Sequence, residues 1–186
     1  MAYLENPDLS RGYVAGRYYH TPYHLANGAA GAPAQRLHAV PIQITRPVTV
    51  TKLGIFVSVV CSVANSNARL GIYSNNNGVP GSLIVDGGEV DVSVGTGAKE
   101  VTISTSLAPA WYWLAVNFED VTSLTILTHA TSSFVNGDFG VTAPDAGVSC
   151  VRVVSAYGAL PAAFPAVVNA DFVSTSSPRV WWRMGV

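Results

Sequence analysis

From Arg36 onward the sequence is a succession of short apolar runs closed by chain-turning residues, and no stretch of it carries a helical apolar stripe. Alternation is clearest in Val101-Thr-Ile-Ser104 and in Val90-Asp-Val-Ser-Val94. There every second side chain is apolar, the period of a strand with one buried face. Candidate strands are Leu37–Ile44, Val48–Cys61, Ala68–Tyr73, Ser82–Val94, Lys99–Ser106, Trp111–Phe118, Ser123–Thr128, Val148–Ala156 and Val180–Met184. Between them stand Asn65-Ser-Asn67, Asn75-Asn-Asn-Gly78, Gly87-Gly88, Gly95-Thr-Gly97 and Asn136-Gly137, which supply positive φ or local side-chain bonds at low steric cost. Many short strands at near-regular spacing predict an all-β chain with a β-sandwich or jelly-roll-like fold. One stretch breaks the rhythm: residues 156–172, AYGALPAAFPAVVNADF, are apolar, proline-bearing and unpatterned. A loop of that length is expected to be functional or to pack on a partner.

Residues 1–35 differ from the rest. They hold five of the eight tyrosines (Tyr3, Tyr13, Tyr18, Tyr19, Tyr23), three prolines and the tract Asn27-Gly-Ala-Ala-Gly-Ala-Pro-Ala34. Neither period persists there, so the segment is expected to be an extended N-terminal arm, with its tyrosines as anchors on a partner and the Gly/Ala tract as a hinge. The predicted organisation is a docking arm over 1–35 and one β-sandwich domain over 36–186; 186 residues suit one full core better than two.

Charge narrows the function classes. Charged residues make up 11% of the chain, against roughly a quarter in ordinary soluble domains, and Lys52 and Lys99 are the two lysines. Such a surface suits contact with sugars or burial against other subunits, and a mean hydropathy of +0.32 favours the second. Net charge is −1 and the eight arginines are scattered, so no basic patch for nucleic acid is predicted. Pro161 and Pro165 interrupt the longest uncharged stretch near the C-terminus, and no membrane insertion is expected. The first residues lack the basic start and apolar core of a secretory signal, so synthesis in a cytoplasm is expected. Cys61 and Cys150 are too few for a disulfide framework; they read as two buried thiols or as one late bridge between strands.

A search for chemistry returns little. The phosphate-binding, dinucleotide-binding, zinc-protease and serine-hydrolase motifs are absent, and the four histidines are His20, His24, His38 and His129. The chain is therefore expected to be non-enzymatic, with no catalytic residues, no cofactor and no metal. His20 and His24 have a helical metal-ligand spacing, which Pro22 defeats. Asp86, Glu89 and Asp91 gather three carboxylates; calcium would need six to eight oxygens, and a solvated turn is the simpler reading. Trp111-Tyr-Trp113 and Trp181-Trp182 contain all the tryptophans. Trp113 is expected in the core, and Trp181, Trp182, Tyr157 and Phe164 are the candidate ligand-binding residues.

A resemblance sharpens these expectations. The segment Arg69-Leu-Gly-Ile-Tyr-Ser-Asn-Asn-Asn-Gly-Val-Pro-Gly-Ser-Leu-Ile84 resembles a phrase common in bacteriophage virion surface modules, in which a strand ending Leu-Gly-Ile-Tyr meets an Asn-Gly turn and Pro-Gly-Ser-Leu opens the next strand. Leu107-Ala-Pro-Ala-Trp-Tyr-Trp-Leu-Ala115 is similar to the phrase that follows it, with Ala110 where the family has glycine. Gly16-Arg-Tyr-Tyr19 and Pro178-Arg-Val-Trp-Trp-Arg183 resemble the beginning and end of such modules, so the likeness spans about residues 12–184. The sandwiches of this kind occur in tail fibres, head spikes or fibres and capsid decoration proteins. The resemblance implies a virion location, other virion proteins (capsid or tail) as partners and a homo-oligomer, often a trimer; it brings no catalytic residues. The leading expectation is a host-attachment component directed at surface glycan, and the competing one is a capsid decoration or cement protein without a host ligand.

Overall fold

In a computed structural model the chain is described over residues 12–20, 27–31, 33–129, 148–173 and 177–185. Tyr3, Tyr23, His24 and the Asn136-Gly137 turn lie outside the described residues. Among the described residues thirteen strands form: β1 (Tyr18–His20), β2 (Asn27–Ala30), β3 (Arg36–Ile44), β4 (Val48–Val59), β5 (Asn67–Asn76), β6 (Val79–Asp91), β7 (Gly97–Leu107), β8 (Ala110–Phe118), β9 (Thr125–His129), β10 (Cys150–Val154), β11 (Phe172–Val173), β12 (Ser177–Pro178) and β13 (Trp181–Met184). All nine strands expected from patterning are present, as β3 to β10 and β13. The pairings are antiparallel and make two sheets. The first runs β1-β13-β4-β9-β12, with β2 on β9 and β7 on β4; the second runs β11-β10-β3-β8-β5-β6. No helix among the described residues is long and apolar enough to cross a membrane.

Apolar alternation places the core between the sheets. Ala68, Leu70 and Ile72 of β5, Leu114, Val116 and Phe118 of β8, and Ile42 and Ile44 of β3 meet Val48, Val50, Leu53, Ile55 and Val57 of β4. The apolar set on β4 switches from even to odd positions at Thr51, where its register with β7 shifts between Val50 and Lys52. That bulge keeps both halves of a long strand facing inward, where an unbroken ladder would turn one half to solvent.

The second sheet is buried on both faces. Leu37 and Ala39, Tyr73, Trp113 and Ala115, and Val151 and Val153 form a second cluster, closed by Leu160 and Phe164. Those two residues belong to the unpatterned stretch 156–172, which was expected to be functional or to pack on a partner. It instead covers its own sheet. The Tyr73 hydroxyl donates to the Pro161 carbonyl at 2.9 Å, and the Leu160 N–H donates to Asp86 at 3.1 Å. Leu83 N–H donates to Ala162 O and Phe164 N–H to Gly81 O, so the same strap also covers the edge of β6. Trp113 lies in this second cluster, with its indole N–H donating to Asn75 Oδ1 at 3.0 Å, while Tyr112 packs on the inter-sheet side.

The β5–β6 hairpin is tighter than the sequence reading had it. Asn77 (φ 51°) and Gly78 (φ 88°) make the reversal, both in the left-handed region that two-residue hairpin turns use. Pro80 and Gly81 then already belong to β6, paired with β5. Proline is tolerated there because β6 ends its sheet and its nitrogen has no ladder bond to supply.

Two parts of the expected arm are strands of the first sheet. β1 pairs with β13, matching Tyr18 to Arg183, Tyr19 to Trp182 and His20 to Trp181, and β2 pairs with β9. Tyr13 and Tyr19 are anchors on this chain's own fold: their rings stand 5.2 and 4.9 Å from Trp182 and 5.1 Å from each other.

Candidate functional site

The four ligand candidates do not share a surface. Trp182 is 2% exposed and closes the inter-sheet core under Tyr13 and Tyr19. Phe164 is 8% exposed, edge-on to Tyr73 at 5.1 Å within the strap. Both are packing residues, which corrects the expectation for them. Tyr157 is half-buried at the start of the strap beside Glu89, and burial holds its hydroxyl above the usual phenol range. That leaves Trp181, which the two-residue period of β13 turns to the outer face because Trp182 faces in.

The surroundings of Trp181 form a groove. Register places His20, Trp181, Gly54 and Glu100 side by side on β1, β13, β4 and β7, with Tyr18, Arg183, Lys52 and Thr102 in the next row of the same face. A Cβ on residue 54 would stand 2.2 and 2.3 Å from Cζ2 and Cη2 of Trp181, so the indole lies directly on the bare backbone of β4. Tyr18, 52% exposed, meets Trp181 edge-on at 4.8 Å, and the Arg183 guanidinium stands 5.7 Å from the Tyr18 ring centroid. Tyr18, His20, Ala98, Glu100, Arg179 and Trp181 line an open groove of about 320 Å³. Lys52 is ion-paired with Glu100. The arrangement offers an aromatic face beside hydrogen-bond donors and an acceptor, the combination that holds a small polar ligand with one apolar side. Glu100 is the single carboxylate among the lining residues, whereas glycoside hydrolysis uses two. The sequence reading missed Tyr18 and His20 as lining residues, because their apposition to Trp181 is made by pairing the two ends of the chain.

Other singled-out residues have structural work. Asp86 accepts from Arg69 Nε at 2.9 Å and Glu89 from the same guanidinium at 2.8 Å. Asp91 accepts from the Ser93 backbone and hydroxyl at 2.7 Å, and these bonds hold its carboxyl below the usual range. Among the described residues no group of three His, Cys, Asp or Glu is placed to hold a metal ion. Cys61 and Cys150 are both free and buried, and burial pushes the Cys150 thiol up to about 11. His38 shares its face of β3 with Ile42 and Ile44, lies 6.2 Å from the Phe118 ring, and has no hydrogen-bond partner at either nitrogen. Burial, with Arg152 and Arg36 nearby, lowers its pKa to about 3.

No protein-family model, curated protein or solved structure matches this chain.

Proposed function

We propose that this chain is a non-enzymatic structural protein on the surface of a phage-like particle, acting as a homo-oligomer, with a trimer favoured, in attachment to a host-surface glycan. The observation that carries the reading is the Trp181 indole seated against Gly54 beside Tyr18, His20, Glu100 and Arg179. A pyranose presents one C–H-rich face and a rim of hydroxyls. The indole takes the face, and the carboxylate, imidazole and guanidinium take the rim. The virion context is supported by the resemblance of residues 69–84 and 107–115 to phage surface modules; those residues build the β5–β6 hairpin and central strand β8. The sparse charge supports burial in an assembly, with capsid or tail proteins as further partners.

A capsid decoration protein without a host ligand is the second reading. It is favoured by the strap, since residues 156–172, the stretch expected to be functional or to pack on a partner, lie on their own sheet. The soluble protein, added in excess, separates the two. Attachment predicts that it competes with particle adsorption to host cells and that Trp181→Ala abolishes the competition. Decoration predicts no competition and saturable binding to bare capsids.

A further inference from the structure

Residues 12–20 and 27–30 occupy a seat made by the rest of the chain. Gly16 N–H donates to Met184 O at 3.0 Å and Met184 N–H to Arg17 O at 3.2 Å. The Tyr13 hydroxyl donates to Gln43 O at 2.9 Å and accepts from Thr45 N–H at 3.3 Å, while Arg46 donates to the Tyr13 carbonyl. Tyr13 and Tyr19 cover Trp182, and β1 and β2 complete the edges of β13 and β9. An empty seat would expose an indole and two open strand edges, a surface that invites pairing. Every one of these contacts is as available to an identical segment from another molecule.

The link back to the sandwich is short. It runs from Gly31 to Gln35, includes Pro33, and holds Gln35 at φ 51°, a left-handed conformation that glutamine rarely adopts. Gln35 is fixed there by its N–H to Phe118 O at 3.0 Å and its carbonyl from Ser155 N–H at 3.1 Å. A short link under backbone strain favours exchange, because an opened link relaxes while every seat contact is remade in a neighbour. The occupant that fits is a second copy, since the seat selects this sequence and 11% charge leaves little to keep copies apart.

We propose that the arm strands β1 and β2, with Tyr13 to Arg17, are exchanged between copies, so that each sandwich is closed by its neighbour's arm. This rests on the oligomeric reading above and has a consequence for the groove. Tyr18 and His20 come from the arm, whereas Ala98, Glu100, Arg179 and Trp181 come from the body. In the exchanged assembly each groove is built from two chains, and a lone copy with an open link lacks half of its aromatic wall.

The test is a disulfide between register partners. In Tyr18→Cys/Arg183→Cys the two thiols face each other across β1 and β13. The protein is oxidised, its size in solution is measured by light scattering, and it is run on denaturing non-reducing gels. Exchange predicts covalent multimers. Intrachain bonds in molecules that scatter as oligomers would overturn exchange and leave the oligomeric reading standing. Intrachain bonds in monomers would overturn both. Should the double variant not fold, Gln35→Gly removes the φ strain; after refolding at equal concentration, exchange predicts a several-fold smaller oligomer fraction. An unchanged fraction would count against it.

Discussion

Gly54 carries the groove as much as Trp181 does. A methyl at residue 54 would stand 2.2 Å from the indole and 2.6 Å from the Lys99 carbonyl, so one of the two must shift to admit it. Gly54→Ala is therefore expected to lift the indole off β4 and lower saccharide affinity about tenfold or more, for a modest overpacking cost of about 1–3 kcal/mol. Titration calorimetry beside a urea melt checks both. His38 makes a second prediction. Its folded-state pKa of about 3 lies below the ordinary value of 6.5, so between these pH values the unfolded chain binds a proton that the folded chain excludes. Stability then falls as pH drops from about 6.5 towards 3, by up to ~1.4 kcal/mol per pH unit and roughly 3–5 kcal/mol in all. His38→Leu is expected to flatten that part of a stability-against-pH curve measured by denaturant unfolding. An unflattened curve would show that other groups cause the acid sensitivity.

At the scale of elements, the strap is a second core, and its stability should be measurable apart from the groove. Leu160 and Phe164 close the cluster over Trp113 and Tyr73, so Leu160→Ala is expected to cost about 2–4 kcal/mol. Hydrogen exchange should then rise first over residues 156–172, with saccharide binding unchanged. The strands themselves were legible in the sequence because their apolar period is local: Val90–Val94 and Val101–Ser104 alternate wherever they are placed. The strap was not, since its apolar residues answer to a sheet face assembled from four strands, three of them (β3, β5 and β8) distant in sequence. Its one forward sign was the density of apolar residues in β3 and β8, more than a one-faced strand needs. Pro80 and Gly81 fell outside the expected strand Ser82–Val94 for a related reason, because turn-forming residue types on an edge strand look like a turn in sequence whatever their place in the sheet. The groove was half legible. Trp181 follows from the phase of β13 relative to Trp182, whereas Tyr18, His20 and Glu100 join it through pairings no local pattern encodes.

For the whole molecule, the N-terminal segment is structural before it is anything else. Removing residues 1–31 uncovers Trp182 and takes one neighbour each from β13 and β9, so the truncated chain is expected to lose several kcal/mol of stability and to aggregate in light scattering. A truncation that stays folded and dispersed would show that the segment belongs to a partner's surface rather than to this sandwich. The particle-surface reading and the groove converge on one measurement, a glycan array probed with the intact protein and, in parallel, with Trp181→Ala. Attachment predicts a defined saccharide set bound by the first protein and lost in the second at unchanged thermal stability. An array on which the intact protein binds nothing, or on which both proteins bind alike, would contradict it.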